Sequence, residues 1–319
     1  MDGLLVVDKP VGPTSHDVVA RVRRILGERR IGHTGTLDPL ATGVLPLVVG
    51  RATRLARFLS ATDKTYEAEV TFGIATDSGD REGQAVGEPY AGPLPGRSDV
   101  EQALQQFRGR FPQRPPALSA KKIGGIRSYT LARKRRLPRD GHPAGSADDT
   151  PIGDAANVGP EAVTVEVSAL EILSYHAPTL LLHVACSAGF YVRSLARDLG
   201  HSLGTGGHLS ALRRTASGRL TIADAVALAD IDDRQAGRQR ALDAVIPLGR
   251  MLTEFPGASL TLEGVRHATH GRELSAEAFS AEVAVAAGFV RLLDPEGNLV
   301  GIAEPGSAAG LLHPAVVLM

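Results

Sequence analysis

One aspartate lies on backbone that is shaped to present a side chain to a ligand. Asp38 stands between Gly35 and Gly43. Pro39 follows it directly, and His33 precedes it by five residues. Glycine lets the backbone approach a ligand closely, and proline restricts the residue before it. A carboxylate held in this way can act as a nucleophile or a base. The structural alternative is an Asx turn, in which Asp38 bonds its own backbone.

Three further side chains could take part in such a site. Arg193 would keep Asp38 ionised and oriented if the two packed together. Alternatively, Arg193 is a surface residue that pairs with Asp198 or has no partner. Tyr66 begins a predicted strand, and Tyr191 lies two residues before Arg193. Each tyrosine is either a core residue or a platform on which a nucleic-acid base could stack.

Hydrophobic patterns predict the elements that must position these side chains. Strands are predicted at residues 4–7, 65–72, 163–167 and 180–186, and a helix begins at about residue 190. A helix capped by Thr14 or Ser15 ends at Gly27. A strand-rich tail from about Met251 contains a hairpin around residues 294–298. Strands and helices without a regular βαβ order predict an α+β fold.

Charge is unevenly distributed along the 319 residues, although 35 basic and 35 acidic residues give a formal net charge of zero. Residues 102–139 contain eleven basic residues and no acidic one. Residues 21–57 contain eight arginines against two acidic residues. Separate positive faces of this kind indicate a partner with a phosphate backbone. Solvated helix faces are the alternative interpretation.

The sequence lacks the signals of several other classes of site. The single cysteine, Cys186, cannot form an intrachain disulfide and is expected in the core. His267 and His270 have no third ligand nearby, and no nucleotide-binding glycine motif is present, so no metal and no cofactor is predicted. No apolar run is long enough for a membrane span, and no leader segment is evident, which predicts a cytoplasmic protein.

Several stretches resemble the motifs of the TruB-type tRNA pseudouridine-55 synthases. They are residues 9–15 (KPVGPTS), 35–45 (GTLDPLATGVL), 64–66 (KTY), 113–120 (QRPPALSA), 186–193 (CSAGFYVR) and 212–214 (LRR). The motifs stand in the family's order, and the resemblance runs from about residue 3 to about residue 247. The motif around Asp38 is highly specific, whereas the lysine-proline-glycine motif alone would be weak.

The resemblance implies a role for each candidate residue. Asp38 would be the catalytic aspartate, and Arg193 would pair with it close to the nucleotide. Tyr66 would stack on the target uracil. His33 would take the space left by the flipped base. The pocket would be completed by Tyr191 and Leu212.

The resemblance also implies a fold and a domain organisation. The fold would be the α+β pseudouridine-synthase core, a mixed sheet flanked by helices. A catalytic domain at 1–247 would carry a basic thumb-like insertion at about 108–160. Residues 137–163 show no periodicity and predict a mobile insertion. Its part from 137 to 159 departs in length from the common pattern of the family. Residues 248–319 resemble a small β-rich PUA-like RNA-binding domain.

The implied activity is that of an isomerase acting on a uridine in the T-arm of tRNA. The N1–C1′ bond breaks, the uracil turns, and C5 bonds to C1′, after the base has been flipped out of its stack. No cofactor, membrane or obligate protein partner is implied, and a monomer is expected. The alternatives are a non-catalytic RNA-binding protein and an RNA N-glycosylase that releases uracil. Guide-directed relatives are disfavoured because the chain lacks long lysine-rich tails.

Overall fold

The computed structural model describes residues 1–116, 122–123, 126–127, 161–232, 236–281 and 288–319. Contacts divide the chain into two compact units. The first unit contains residues 1–62 and 216–319, and the second contains residues 63–215. Most of the predicted thumb-like insertion, including the stretch predicted to be mobile, lies outside the described residues.

Three strands and two helices form the N-terminal part of the first unit. They are β1 (Gly3–Lys9), α1 (Ser15–Leu26), β2 (Ile31–His33), β3 (Ala41–Val49) and α2 (Ala56–Ser60), with a 3-10 turn at Gly50–Leu55. Thr14 caps α1 in a capping box with Asp17, and Gly27 ends the helix at a φ of 68°. Both ends of α1 therefore lie where the sequence predicts them.

Strand β1 brings the start of the chain beside the end of the Asp38 loop. It pairs antiparallel with β3 along its whole length, from Gly3 opposite Val49 to Lys9 opposite Gly43. Its central residues are buried on both faces, as in a strand that is covered on both sides. Because of this register, Lys9 lies next to the segment that carries Asp38.

The second unit is built mainly from antiparallel strands. Its elements are β4 (Lys64–Phe72), β5 (Ala75–Thr76), β6 (Ala85–Val86), α3 (Arg97–Leu104), β7 (Gly109–Gln113), β8 (Lys122–Ile123), β9 (Ile126–Arg127), β10 (Val163–His176), β11 (Thr179–Cys186), α4 (Val192–Ser202) and β12 (Gly207–Ser217), with a 3-10 turn at Gln105–Phe107. The main strands follow the order β12-β4-β11-β10-β7. The predicted alternation of β4 is confirmed, because every second residue from Lys64 to Phe72 is buried.

The C-terminal part of the first unit begins with short elements and ends in a small sheet. Its elements are β13 (Leu220–Thr221), β14 (Val226–Ala227), α5 (Leu228–Ile231), α6 (Ala236–Asp243), β15 (Ile246–Pro247), β16 (Gly257–Ser259), α7 (Leu262–Thr269), β17 (Val290–Leu293), β18 (Leu299–Pro305) and β19 (Leu312–Val317), with 3-10 turns at Ile222–Asp224, Leu248–Arg250 and Ala276–Ala278. Strands β17 and β18 form the predicted hairpin. Strand β14 pairs parallel with β1, so the sheet is mixed.

The small C-terminal sheet, in the order β16-β17-β18-β19, has a core of its own and shares another with the N-terminal residues. Leu4 and Phe58 pack in one buried cluster with Met251 and Ile302. The mixed sheet, its helices and this β-rich tail confirm the predicted α+β fold class. The domain boundary after residue 247 remains a prediction. Among the residues that the structure describes, no helix combines the length and the apolar character needed to cross a membrane.

Candidate active site

Lys9 anchors the loop that carries Asp38. Its side chain is fully buried, and its Nζ donates to the carbonyl oxygens of Ala41 at 2.6 Å, Pro10 at 2.9 Å and Pro39 at 3.4 Å. A buried ammonium is tolerated only where hydrogen bonds replace its hydration. The backbone that follows Asp38 is therefore fixed to the end of β1.

Ser15 and Gly12 hold the residues immediately next to Asp38. The Ser15 hydroxyl donates to the Leu37 carbonyl at 3.0 Å and accepts from the Leu37 N–H at 2.8 Å. The Gly12 N–H donates to the Pro39 carbonyl at 2.9 Å. Gly12 has a φ of 108°, where a side chain would be strained. Asp38 itself is half-buried, on a loop held before and after it.

His33 lies in the same unit, as the last residue of β2. It is half-buried, and its ring meets the ring of His16 edge to face, with centroids 5.3 Å apart and an interplanar angle of 83°. His16 is an exposed residue in the first turn of α1, directly after Ser15. Two successive residues of α1 therefore contact both ends of the segment from His33 to Leu37. The sequence interpretation missed His16.

Arg193 is a buried residue of the second unit, in the first turn of α4. Its Nη1 donates to the Ser78 carbonyl at 3.0 Å and lies 3.6 Å from Oδ2 of Asp80. The two charged side chains are only 8% and 7% exposed. The alternative of a surface arginine paired with Asp198 is therefore wrong, because Arg197 makes that pair at 2.8 Å.

Asp80 is held in place for this pairing by its own neighbours. Its Oδ1 accepts from the Ser78 hydroxyl at 2.7 Å and from the Glu82 N–H at 3.1 Å. Gly79, at a φ of 76°, lets this turn pass close to the backbone of Arg193, where a Cβ would lie 3.2 Å from the carbonyl oxygen. The sequence interpretation missed Asp80, and its only local signal is a serine-glycine turn in an acid-rich stretch.

Tyr66 is buried on the inward face of β4 and is hydrogen-bonded to the Arg214 side chain of β12. Arg214 is only 1% exposed. Burial lowers the pKa of Arg214, whereas the hydrogen bond and the charge of Tyr66 favour its cationic form. Lys64 lies two residues before Tyr66 on the same face. Burial and the charge of Arg214 lower the pKa of Lys64 to about 8.

Cys186 is a core residue, as predicted. It is 1% exposed and lies opposite Lys64 in the pairing of β11 with β4. Its Sγ is 3.6 Å from the carbonyl oxygen of Lys64. Burial raises the pKa of the Cys186 thiol to about 12, so the thiol is neutral at physiological pH and is no candidate nucleophile.

Tyr191 and Leu212 lie on the elements next to Tyr66 and Arg193. The buried Gln113 binds the backbone of Tyr191 twice, accepting from its N–H at 2.8 Å and donating to its carbonyl at 3.0 Å. Tyr191 is half-buried just before α4, and Leu212 is half-buried on β12, the neighbour of β4. The second unit therefore carries four of the predicted residues on adjacent elements.

Asp38 and His33 belong to the first unit, and the pairing of Asp38 with Arg193 remains a prediction. In the part of the chain that the structure describes, no group of three or more His, Cys, Asp or Glu side chains could hold a metal ion. Nε2 of His267 lies 3.1 Å from Oε1 of Glu263.

Comparison with known proteins identifies the family. Residues 23–139 match the N-terminal domain of the TruB family pseudouridylate synthases, and residues 193–253 match the tRNA pseudouridylate synthase B C-terminal domain. A Solibacter usitatus protein named tRNA pseudouridine synthase B is 42% identical over 318 residues, which cover 100% of both chains. The chain belongs to the TruB family of pseudouridine synthases. It is therefore an isomerase, and the family predicted from the motifs is confirmed.

Other members and a solved structure agree with the TruB assignment. The tRNA pseudouridine synthase B of Symbiobacterium thermophilum is 44% identical over 83% of each chain. A chain in the crystal structure of a Cbf5-Nop10-Gar1 complex superposes with a TM-score of 0.69 at 26% identity, over 99% of this chain and 85% of that one. The likeness extends over nearly the whole chain, including the C-terminal β-sheet.

Several motifs shared with the TruB family supply the supports of the site as well as its candidate contact residues. The motif at 9–15 contains Lys9, which fixes the Asp38 loop. The motif at 113–120 begins with Gln113, which fixes the backbone of Tyr191. The motif at 212–214 ends with Arg214, which binds Tyr66. A motif interpretation that names only the contact residues misses these supports.

Proposed function

We propose that this TruB-family enzyme is a tRNA pseudouridine-55 synthase that isomerises one uridine of the T-arm. The relatives named tRNA pseudouridine synthase B support tRNA as the substrate. The proposal depends most on one observation: Asp38 is half-buried on a loop whose flanking backbone is fixed by Lys9, Ser15 and Gly12. Such a loop presents a carboxylate without having to rearrange when the substrate binds.

The reaction exchanges one bond to the sugar for another. The N1–C1′ bond breaks, the uracil turns, and C5 bonds to C1′, while the hydrogen on C5 is lost and N1 gains one. Nothing is added or released overall. Asp38 is the group that acts at the nucleotide, and attack at C1′, addition at C6 and removal of a C2′ proton are the three routes open to it.

The other candidate residues hold the flipped nucleotide and the carboxylate. Tyr66 stacks on the uracil, which is worth about 1–3 kcal/mol and offsets part of the cost of unstacking the base. His33 fills the space that the base leaves. Arg193 pairs with Asp38 and keeps it ionised, and its contact with Asp80 limits the positions that its guanidinium can take. Tyr191 and Leu212 line the pocket.

The remaining parts of the chain bind the body of the tRNA. Helix α1 exposes Arg21 and Arg24 on one side, which suits phosphate contacts, whereas Arg23 donates to the Ile31 carbonyl at 2.6 Å. Under this proposal, residues 1–247 form the catalytic domain, with the basic insertion at about 108–160 closing on the RNA. Residues 248–319 form the PUA-like RNA-binding domain. The protein acts as a monomer in the cytoplasm without an obligate protein partner.

The Asp38→Asn variant tests the proposal. An unmodified tRNA transcript is incubated with the enzyme, and pseudouridine is mapped by its carbodiimide adducts. We expect one modified position in the T-arm with the wild-type enzyme and none with the variant, while the Kd for tRNA changes by less than about twofold. Asp243→Asn, a change at an exposed aspartate of the same unit, is the matched control and should convert normally.

Three other outcomes would contradict the proposal. Turnover by the Asp38→Asn variant would exclude Asp38 as the catalytic group. Binding of tRNA by the wild type without any conversion would favour a non-catalytic RNA-binding protein. Release of free uracil would favour the N-glycosylase.

A further inference from the structure

Arg214 is among the largest side chains that the fold buries completely. Its guanidinium carries a charge that is costly to remove from water, so its burial requires hydrogen-bond partners. One of these partners is the side chain of Tyr66 on the adjacent strand β4. Arg214 therefore contacts the residue that would stack on the uracil.

The direction of this hydrogen bond follows from the chemistry of the two groups. A guanidinium has only donors, so the phenolic oxygen of Tyr66 must accept. The cross-strand neighbour of Tyr66 on β11 is the apolar Val184. Lys64, two residues earlier on β4, adds a second positive charge on this face, and Asp63 offsets part of it.

We propose that Arg214 is a positioning residue for the isomerisation, which holds the Tyr66 ring by its phenolic oxygen in the place where it would stack on the target uracil. The inference rests on the proposed function, in which Tyr66 contacts the target uracil. Arg214 touches neither the substrate nor Asp38 in this role and acts only through Tyr66.

Tyr175 provides an internal comparison within the same unit. Its hydroxyl donates to the Pro95 carbonyl at 2.6 Å, and burial raises its pKa. The hydroxyl of Tyr66 instead accepts from a cation, which favours the ionised form of a phenol. Removal of Arg214 should therefore raise the pKa of Tyr66 and leave that of Tyr175 unchanged.

A titration of the tyrosines tests the pairing without any measurement of activity. The chain has five tyrosines, so protein labelled with ¹³C at the tyrosine Cζ gives few signals, and Tyr66→Phe assigns the one of interest. We expect the Tyr66 signal to titrate at a higher pH in Arg214→Gln than in the wild type, while the Tyr175 signal stays in place. Arg213→Gln, a change on the opposite face of the same strand, is the matched control and should leave Tyr66 in place. A Tyr66 signal that Arg214→Gln does not move would overturn the inference.

A double-mutant cycle with the tRNA transcript tests the role in the reaction. Arg214→Gln should lower kcat by about tenfold or more with KM changed by less than about twofold, and in a Tyr66→Phe background it should cost less than about twofold. Arg214→Lys keeps the cation and should recover part of the rate. Arg214→Lys also provides a second variant to measure if Arg214→Gln does not fold. An equal loss in both backgrounds, or a rise in KM alone, would overturn the inference.

The two proposals fail in different ways. Absence of conversion by the wild type would overturn the proposed function. Conversion by the wild type, together with a Tyr66 signal that Arg214→Gln does not shift, would overturn only the role of Arg214.

Discussion

Nη1 of Arg193 lies 3.6 Å from Oδ2 of Asp80, and both side chains are more than nine-tenths buried. The two residues are 113 positions apart in the chain, on the first turn of α4 and on the loop after β5. Ser78 binds both, because its carbonyl accepts from Arg193 and its hydroxyl donates to Asp80. The guanidinium is therefore held in a fixed orientation before any substrate arrives.

Replacement of Asp80 with asparagine should disturb both stability and catalysis. The change leaves the buried charge of Arg193 without this carboxylate, and the loss of one partner of a buried pair costs about 3–5 kcal/mol. We expect urea unfolding to show a loss near the lower end of this range, because asparagine keeps part of the hydrogen bonding. We also expect kcat to fall by about tenfold or more with little change in the Kd for tRNA.

The exposed pair of Arg97 with Glu101 is the matched control for this change. Glu101→Gln removes a carboxylate from an arginine on the surface, where such a pair is worth less than about 1 kcal/mol. It should leave both unfolding and kcat unaltered. If Asp80→Asn behaved like Glu101→Gln, Asp80 would have no part in holding Arg193.

Lys9→Met should inactivate the enzyme by releasing the Asp38 loop. Methionine fills a similar volume but cannot donate, so the carbonyl groups of Pro10, Pro39 and Ala41 lose the Lys9 ammonium as a donor, although that of Pro39 keeps the Gly12 N–H. Each buried carbonyl left without a partner costs about 1–3 kcal/mol. We expect a large loss of kcat and a lower free energy of unfolding, measured by single-turnover conversion and by urea unfolding. Full activity in this variant would mean that the loop keeps its shape without Lys9.

Local sequence patterns predicted the helices and strands near the candidate site. The residues that hold the site in place were missed, because their contacts depend on long-range packing. The cap at Thr14, the stop at Gly27 and the alternation in β4 depend on residues within one helix or strand, so the sequence pattern reveals them. The contacts of Asp80 with Arg193 and of Gln113 with Tyr191 join residues 113 and 78 positions apart. They depend on the order of the strands and the packing of α4, which hydrophobic periodicity does not encode.

Stability should rise between about pH 8 and pH 9 because of Lys64. The fold lowers the pKa of Lys64 from 10.5 to about 8, so within this interval the unfolded chain binds more protons than the folded one. The free energy of unfolding therefore increases with pH, by roughly 1 kcal/mol over this interval. Urea unfolding at a series of pH values should show the rise in the wild type and not in Lys64→Met. If the free energy of unfolding rose equally in Lys64→Met, other groups would be responsible for the rise.

Above about pH 9 the thiol of Cys186 should act in the opposite direction. Burial raises its pKa from 9.0 to about 12, so the folded chain holds a proton that the unfolded chain loses. This contribution to stability is complete below pH 9 and disappears as the pH approaches 12. Cys186→Ala should therefore flatten the decline in the free energy of unfolding on the alkaline side. A decline that persists unchanged would mean that the thiol ionises in the folded protein near its ordinary pKa.

Binding of tRNA should depend steeply on salt, and helix α1 should account for part of that dependence. If about six phosphates are contacted, the logarithm of the affinity should fall with the logarithm of the salt concentration at a slope of about −4 to −5. Arg21 and Arg24 are exposed on one side of α1 and line an open groove with Gly12, Pro13 and Asp17. The double variant Arg21→Gln/Arg24→Gln should make the slope shallower by about one to two units. Arg97→Gln, which removes a charge from the acid-rich segment, should leave it unchanged. A slope that the double variant does not alter would place the RNA away from this face of α1.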